Sequence, residues 1–220
     1  NKPVIGESLS SIEVESRFTS RGDAGSTFEY VNNVPLGAKS ALRFVAYRDE
    51  RGGYIDQIAG TRSVTESARF RTADTVRANG LVVGTARAGF QAGADLSAAT
   101  FLDANAIVKE NSNPVTYEGF RASVATQIND NWDALATVAT QDIESEGVFF
   151  VDPELDDMQI QRYSDDYNND SFDNMSLTLE GTIGDLEVIY AGAYTDRATD
   201  QNIDYTDYLF VGQYLPYYIC

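Results

Sequence analysis

From Met175 to Tyr194 the chain reads as two arms of alternating polarity. Met175, Leu177, Leu179, Gly181 and Ile183 interleave with Ser176, Thr178, Glu180 and Thr182. Beyond Gly184-Asp185, Leu186, Val188, Tyr190, Gly192 and Tyr194 interleave with Glu187, Ile189, Ala191 and Ala193. A side-chain period of two belongs to a strand with one wet face and one apolar face. The Gly-Asp pair predicts a hairpin, because glycine takes the positive φ of a primed turn. Each arm has about nine residues, roughly 30 Å at ~3.3 Å per residue. Tilted by about 40°, that length matches the ~25 Å apolar band of an outer-membrane barrel.

The same pattern recurs along the chain. In residues 8–19, Ile12, Val14, Ser16 and Phe18 oppose Glu13, Glu15, Arg17 and Thr19. The chain returns through Phe28, Tyr30 and Val34 to a tight turn at Pro35-Leu36-Gly37. Residues 40–48 set Arg43 and Tyr47 against Leu42, Phe44 and Ala46, and residues 116–128 set Arg121, Ser123 and Gln127 against Phe120, Ala122, Val124 and Ile128. A strand over 132–142 follows the polar turn Asn129-Asp130-Asn131. With the hairpin arms, seven strands are predicted. Turns at 35–39, 129–131 and 184–185 are short; the connections 49–115 and 142–173 are long, 20–25 is the one brief loop on their side, and a further long segment begins at Arg197. Such asymmetry is that of an antiparallel up-and-down transmembrane β-barrel, with tight turns at one rim and long loops at the other. Residues 1–220 then form part of one barrel domain, with a short helix expected after Asp95 in a Gly- and Ala-rich stretch. Trp132 beside a short turn, and Tyr47, Tyr117, Tyr190 and Tyr194 near the opposite strand ends, fall where interfacial aromatic girdles sit.

Composition narrows the function. The net charge is -18, and it is unevenly spread: residues 1–60 carry 7 basic and 8 acidic groups, 61–115 carry 6 and 5, and 116–220 carry 3 and 21. Nucleic acid, which needs a basic surface, is excluded as a partner. With no His and a single Cys at position 220, the usual triads and thiol mechanisms are missing, and no enzyme is expected. Gly84-Thr85-Ala86-Arg87-Ala88-Gly89 has phosphate-loop glycine spacing without the Lys-Ser/Thr that holds phosphate and metal. No apolar run approaches the ~20 residues of a membrane helix, which barrel strands do not need. Without a leader at its start, and ending abruptly at Tyr217-Tyr218-Ile219-Cys220, the chain reads as an interior piece of a longer one.

Candidate chemistry lies in the long loops. The 142–173 connection holds 11 acidic residues and one Arg. Asp152, Glu154, Asp156 and Asp157 could offer oxygen ligands to calcium, with Asp165, Asp166 and Asp170 adding more. The spacing is not that of an EF-hand, and a solvated charged loop is the plainer reading; no other cofactor is expected. Phe149, Phe150, Tyr163, Tyr167, Tyr205 and Tyr208 sit among carboxylates and amides. Flat rings beside hydrogen-bonding groups suit sugars, aromatic chelates or hydrophobic cofactors, or else pack loop on loop. The strand charges Glu13, Glu15, Arg17, Arg43, Arg121, Glu180 and Glu187 share faces with polar residues and would line a hydrated interior.

Several stretches resemble the barrel of TonB-dependent receptors: Arg48-Asp49-Glu50-Arg51-Gly52-Gly53-Tyr54-Ile55-Asp56 with Gly60-Thr61-Arg62, Thr116-Tyr117-Glu118-Gly119-Phe120-Arg121-Ala122 and Asn129-Asp130-Asn131-Trp132. Leu177-Thr178-Leu179-Glu180-Gly181, Tyr190-Ala191-Gly192-Ala193-Tyr194 and Asp204-Tyr205-Thr206-Asp207-Tyr208 continue the likeness, which covers most of 8–60 and 106–210. The resemblance implies an active transporter in the outer membrane of a Gram-negative bacterium, built as a barrel of about 22 strands closed by an N-terminal plug. Its implied partners are outer-membrane lipid, the TonB energy-coupling complex and a scarce nutrient such as a siderophore, cobalamin or a carbohydrate. The family's plug and coupling box precede the barrel and match nothing here, so no site residue is carried over. Seven strands cannot close so large a barrel, and both edges need neighbours. Two other readings share the strand pattern: a passive porin-type channel, and a soluble or surface glycan-binding β-sandwich.

Overall fold

The seven alternating segments pair with their sequence neighbours into one antiparallel up-and-down sheet. In the computed structural model, which describes residues 1–60, 63–77, 80–98, 104–152 and 155–206, these strands are β1 (Leu9–Phe18), β2 (Ala24–Pro35), β3 (Ser40–Arg51), β5 (Val115–Asn129), β6 (Trp132–Glu146), β8 (Tyr167–Ile183) and β9 (Leu186–Asn202). Two short strands, β4 (Asp56–Gln57) and β7 (Gln159–Ile160), pair in parallel in the long connections. The chain divides into a sheet unit (1–53, 114–145, 168–201) and a loop unit (54–113, 146–167, 202–220). Among the described residues there is no α-helix, only 3-10 turns at Val64–Glu66, Thr85–Arg87 and Ala104–Ile107. After Asp95 a turn closes instead of a helix, with the Asp95 carboxylate accepting from the Ser97 amide at 2.9 Å.

Register decides which side chains share a face. Ile12↔Tyr30↔Ala46↔Phe120 and Val34↔Leu42↔Val124↔Ala136 run across the sheet as apolar rows. The intervening rows belong to the other face: Glu13↔Glu29↔Tyr47↔Gly119↔Gln141 and Asn33↔Arg43↔Ser123↔Thr137. Phe44 lies between Tyr30 and Phe120 at ring separations of 6.4 and 6.3 Å, on the apolar side. That side is uncovered: Ile12 is 66% exposed, Val14 71%, Phe18 86%, Leu177 41% and Tyr190 56%.

The polar face is hydrogen-bonded within itself. Arg17 donates to Asp49 at 2.6 Å and to Thr27 and Glu15 at 2.7 Å. Tyr47 reaches across Gly119 to donate to Gln141 at 2.6 Å; a Cβ on Gly119 would lie 3.1 Å from the Tyr47 hydroxyl and 2.4 Å from the Thr140 carbonyl. Tyr47 and Tyr117 therefore face the polar side, Tyr117 lying under the Arg51 guanidinium at 4.9 Å. Strand parity puts odd-numbered β3 and β5 positions on this polar face, so neither tyrosine lies among the apolar rows where an interfacial girdle was expected. Tyr190 and Tyr194 are exposed, at 56% and 67%.

Residues 1–7 also lie on the polar side. Buried Pro3 precedes Val4, whose amide donates to Asn33 at 2.9 Å, and Asn33 returns bonds to the Val4 and Glu7 carbonyls. Lys2 reaches Glu180 of β8 at 3.3 Å, so this segment spans from β2 to β8.

The strands outrun their alternating cores. β8 and β9 each have 17 residues and β6 extends to Glu146, so the connections shrink to 52–114 and 147–166, and Arg197 lies inside a strand. There its Nε donates to Asp170 at 2.9 Å. Among the described residues the sheet is not closed; β1 and β9 are its edges.

Candidate functional site

The loop unit is built around a small core of Ile55, Val148 and Ile160, with Tyr54 packed against it. Backbone pairing holds the two long connections together: Asp56 N–H to the Met158 carbonyl at 2.8 Å, Ile58 to Ile160 at 2.9 Å, and Gln57 to Lys109 in both directions. Buried Asn113 accepts the amides of Tyr54 and Ile55 at 2.7 and 2.9 Å. Three apolar side chains give little burial energy, so polar clamps do much of the holding.

The strongest clamp is a buried charge cluster. Arg162 and Asp166 have side chains only 3% and 2% exposed. The guanidinium donates twice to the carboxylate, at 2.6 and 2.8 Å, and also to the Asp204 carbonyl. The Asp204 amide returns to Asp166 at 2.7 Å. The Asp204 carboxylate accepts from the amides of Tyr163 at 2.6 Å and Thr206 at 2.8 Å. Asn202 reaches the Asp165 carbonyl, and the Gly147 amide reaches that of Asp166. A forked guanidinium matching a carboxylate is the geometry that makes a buried pair tolerable.

Burial pushes the Asp204 carboxyl up, but the bonds from Thr206 and Tyr163 and the Arg162 charge outweigh it and hold it below the ordinary Asp range. A depressed carboxyl contributes stability that is present above its unfolded value, about 3.9, and is lost as pH falls through its folded value. Amide protection at Tyr163 and Thr206 is therefore expected to hold from neutral pH down to about 4 and to fall only below it. A loss near pH 6 would contradict this account.

Of the candidate aromatics, Phe150, Tyr163 and Tyr205 flank the Arg162–Asp204 cluster. Phe149 and Phe150 are 57% and 55% exposed, and Phe150 lies 5.5 Å from the Arg162 guanidinium. Tyr163 is half-buried beside Asp204, and Tyr205 is 58% exposed one residue on. Tyr167 is half-buried at the start of β8. Tyr208 lies outside the described residues.

Among the described residues the calcium candidates are not grouped into a cation site. Asp152 and Asp156 close turns, through bonds from Leu155 to the Asp152 carbonyl and from Gln159 to that of Asp156; Asp157 follows, and Glu154 lies outside the described residues. Among the described residues no three acidic, His or Cys side chains are grouped to hold a metal. Asp166 is taken by Arg162 and Asp170 by Arg197, so arginine occupies oxygens that the acidic spacing seemed to offer to a cation.

Sequence reasoning missed Arg162 and Asn113. One signal was visible: a single basic residue within eleven acidic ones is the natural hub of a buried charge cluster. No protein-family model, no curated protein and no solved structure matches this chain.

Proposed function

We propose that this chain is part of an outer-membrane active-transport receptor of the TonB-dependent kind. The receptor binds a scarce nutrient at its long loops and passes it through a barrel whose lumen is occupied. The carrying observation is an uncovered apolar band that stops at charged rows. On β3, Leu42, Phe44 and Ala46 give way to Arg48 and Glu50; on β5, Ile128, Val124, Ala122 and Phe120 give way to Glu118; on β6, Ala134, Ala136 and Val138 give way to Asp142 and Glu144. Arg48 meets Glu118 at 2.5 Å and Glu50 at 2.7 Å along that limit. From Phe120 to Ile128 the band covers nine positions. That is about 23 Å for strands tilted by about 40°, close to the hydrocarbon band of an outer membrane.

A β-sandwich would bury this face beneath a second sheet, and the exposures above argue for lipid instead. The wet face carries Glu13, Glu15, Arg17, Arg43 and Arg121 along its whole height, as a hydrated lumen requires. Residues 1–7, lying across that face from Asn33 to Glu180, favour an occupied lumen over the open pore of a passive channel.

The test uses the native protein in isolated membranes. It should resist alkaline carbonate extraction, and nutrient uptake should stop when the proton-motive force is collapsed. Partition into the aqueous phase without detergent would end the membrane reading. Uptake indifferent to the proton-motive force would hand the role to a passive channel.

A further inference from the structure

In the loop unit Arg71 feels the charges of Arg77 and Arg87, and among the described residues none of the three is paired with a carboxylate. Arg71 is only 3% exposed. Its Nε donates to the Arg87 carbonyl at 2.9 Å, and its own carbonyl accepts from Gly89 at 2.7 Å. These bonds fix the segment around Arg71 against 87–89. Arg77 lies on the adjoining hairpin, which is closed by Asp74 to Val83 at 2.8 Å and by Val83 to Thr75 and Arg77 to Leu81 at 2.9 Å. Burial first, and then the charges of Arg77 and Arg87, lower the proton affinity of Arg71. Among the described residues the one side-chain hydrogen bond of Arg71 is through its Nε, and its Nη groups meet no acceptor there.

This is not for want of acid, since the chain holds 34 acidic residues against 16 basic ones. Among the described residues the other buried arginine, Arg162, is forked to Asp166. A lysine in such a place can shed its proton, whereas a guanidinium cannot. Recessed positive charge beside two like charges calls for an anion. We propose that Arg71, with Arg77 and Arg87, forms an oxyanion site that takes a small free solute bearing phosphate or carboxylate groups. The recess of Arg71 sets the size: a compact solute reaches its Nη edge, while a membrane surface does not. The assignment stands apart from the transport reading.

Calorimetric titration of the purified full-length protein at low ionic strength, with inorganic phosphate and separately with citrate, tests it. At least one anion should bind saturably at a single site, with affinity about tenfold weaker in Arg71→Gln, as loss of a charge-assisted fork implies. Binding of phosphate alone or of citrate alone supports the site and names its anion. Arg77→Gln/Arg87→Gln alters only partly or fully exposed side chains and decides the matter should Arg71→Gln fail to fold; it should bind several-fold more weakly. No saturable binding of either anion, or wild-type affinity in the double variant, overturns the proposal. A protein that partitions into water yet binds the anion would retire the membrane reading and leave this site standing.

Discussion

Leu177→Arg is expected to block assembly into membranes, whereas Thr178→Arg, one residue on, is expected to be tolerated. Leu177 is 41% exposed on the apolar band, while Thr178 is half-buried on the wet face beside the charged side chain of Glu180. An arginine facing hydrocarbon near the bilayer midplane costs about 2–4 kcal/mol, enough to shift the inserted fraction by one or more orders of magnitude. An arginine in a hydrated lumen costs little. Heat-modifiable migration and protease protection in isolated membranes read the difference. Equal tolerance of both substitutions would show that the faces are wrongly assigned.

The second large effect belongs to the loop unit. Arg162→Met leaves the Asp166 carboxylate buried and unpaired, and strips the Asp204 carbonyl of its donor. Removing one partner of a buried pair costs about 3–5 kcal/mol. The loss should be local: amide protection at Gly147, Tyr163 and Thr206 collapses while β2 and β3 keep theirs. Adding Asp166→Leu should restore part of it, because the stranded charge is gone. Unchanged protection in the single variant would mean that the bonds through Asn113 and β4–β7 hold the unit without the charge cluster.

Much of the sheet was legible because its instructions are local. In Ile12 to Phe18, Leu42 to Ala46 and Met175 to Ile183, the alternation of neighbours states which face is wet, and pairing follows from short turns such as Gly184-Asp185. Strand ends were not legible. Ile143–Glu146, Tyr167–Asp173 and Arg197–Asn202 read as loop because their side chains are mostly polar, and Ile143 and Phe172 alone make no alternating apolar face. Backbone ladders do not require an apolar face, and beyond the apolar band both sides of a strand can stay wet. The loop unit was harder still. Ile55 meets Val148 and Ile160 across about a hundred residues of chain, and no periodicity announces such a contact. The partners of Asp166 and Asp170 were not legible for a related reason: a carboxylate's partner is chosen in space, and for these two it is arginine.

The parallel pairing of Asp56–Gln57 with Gln159–Ile160 makes the two long connections one mechanical piece. Neither can swing aside without tearing main-chain bonds from the other, so whatever docks there meets a jointly moving surface. A crosslink that tethers one connection should consequently slow exchange in both, although they are far apart along the polypeptide.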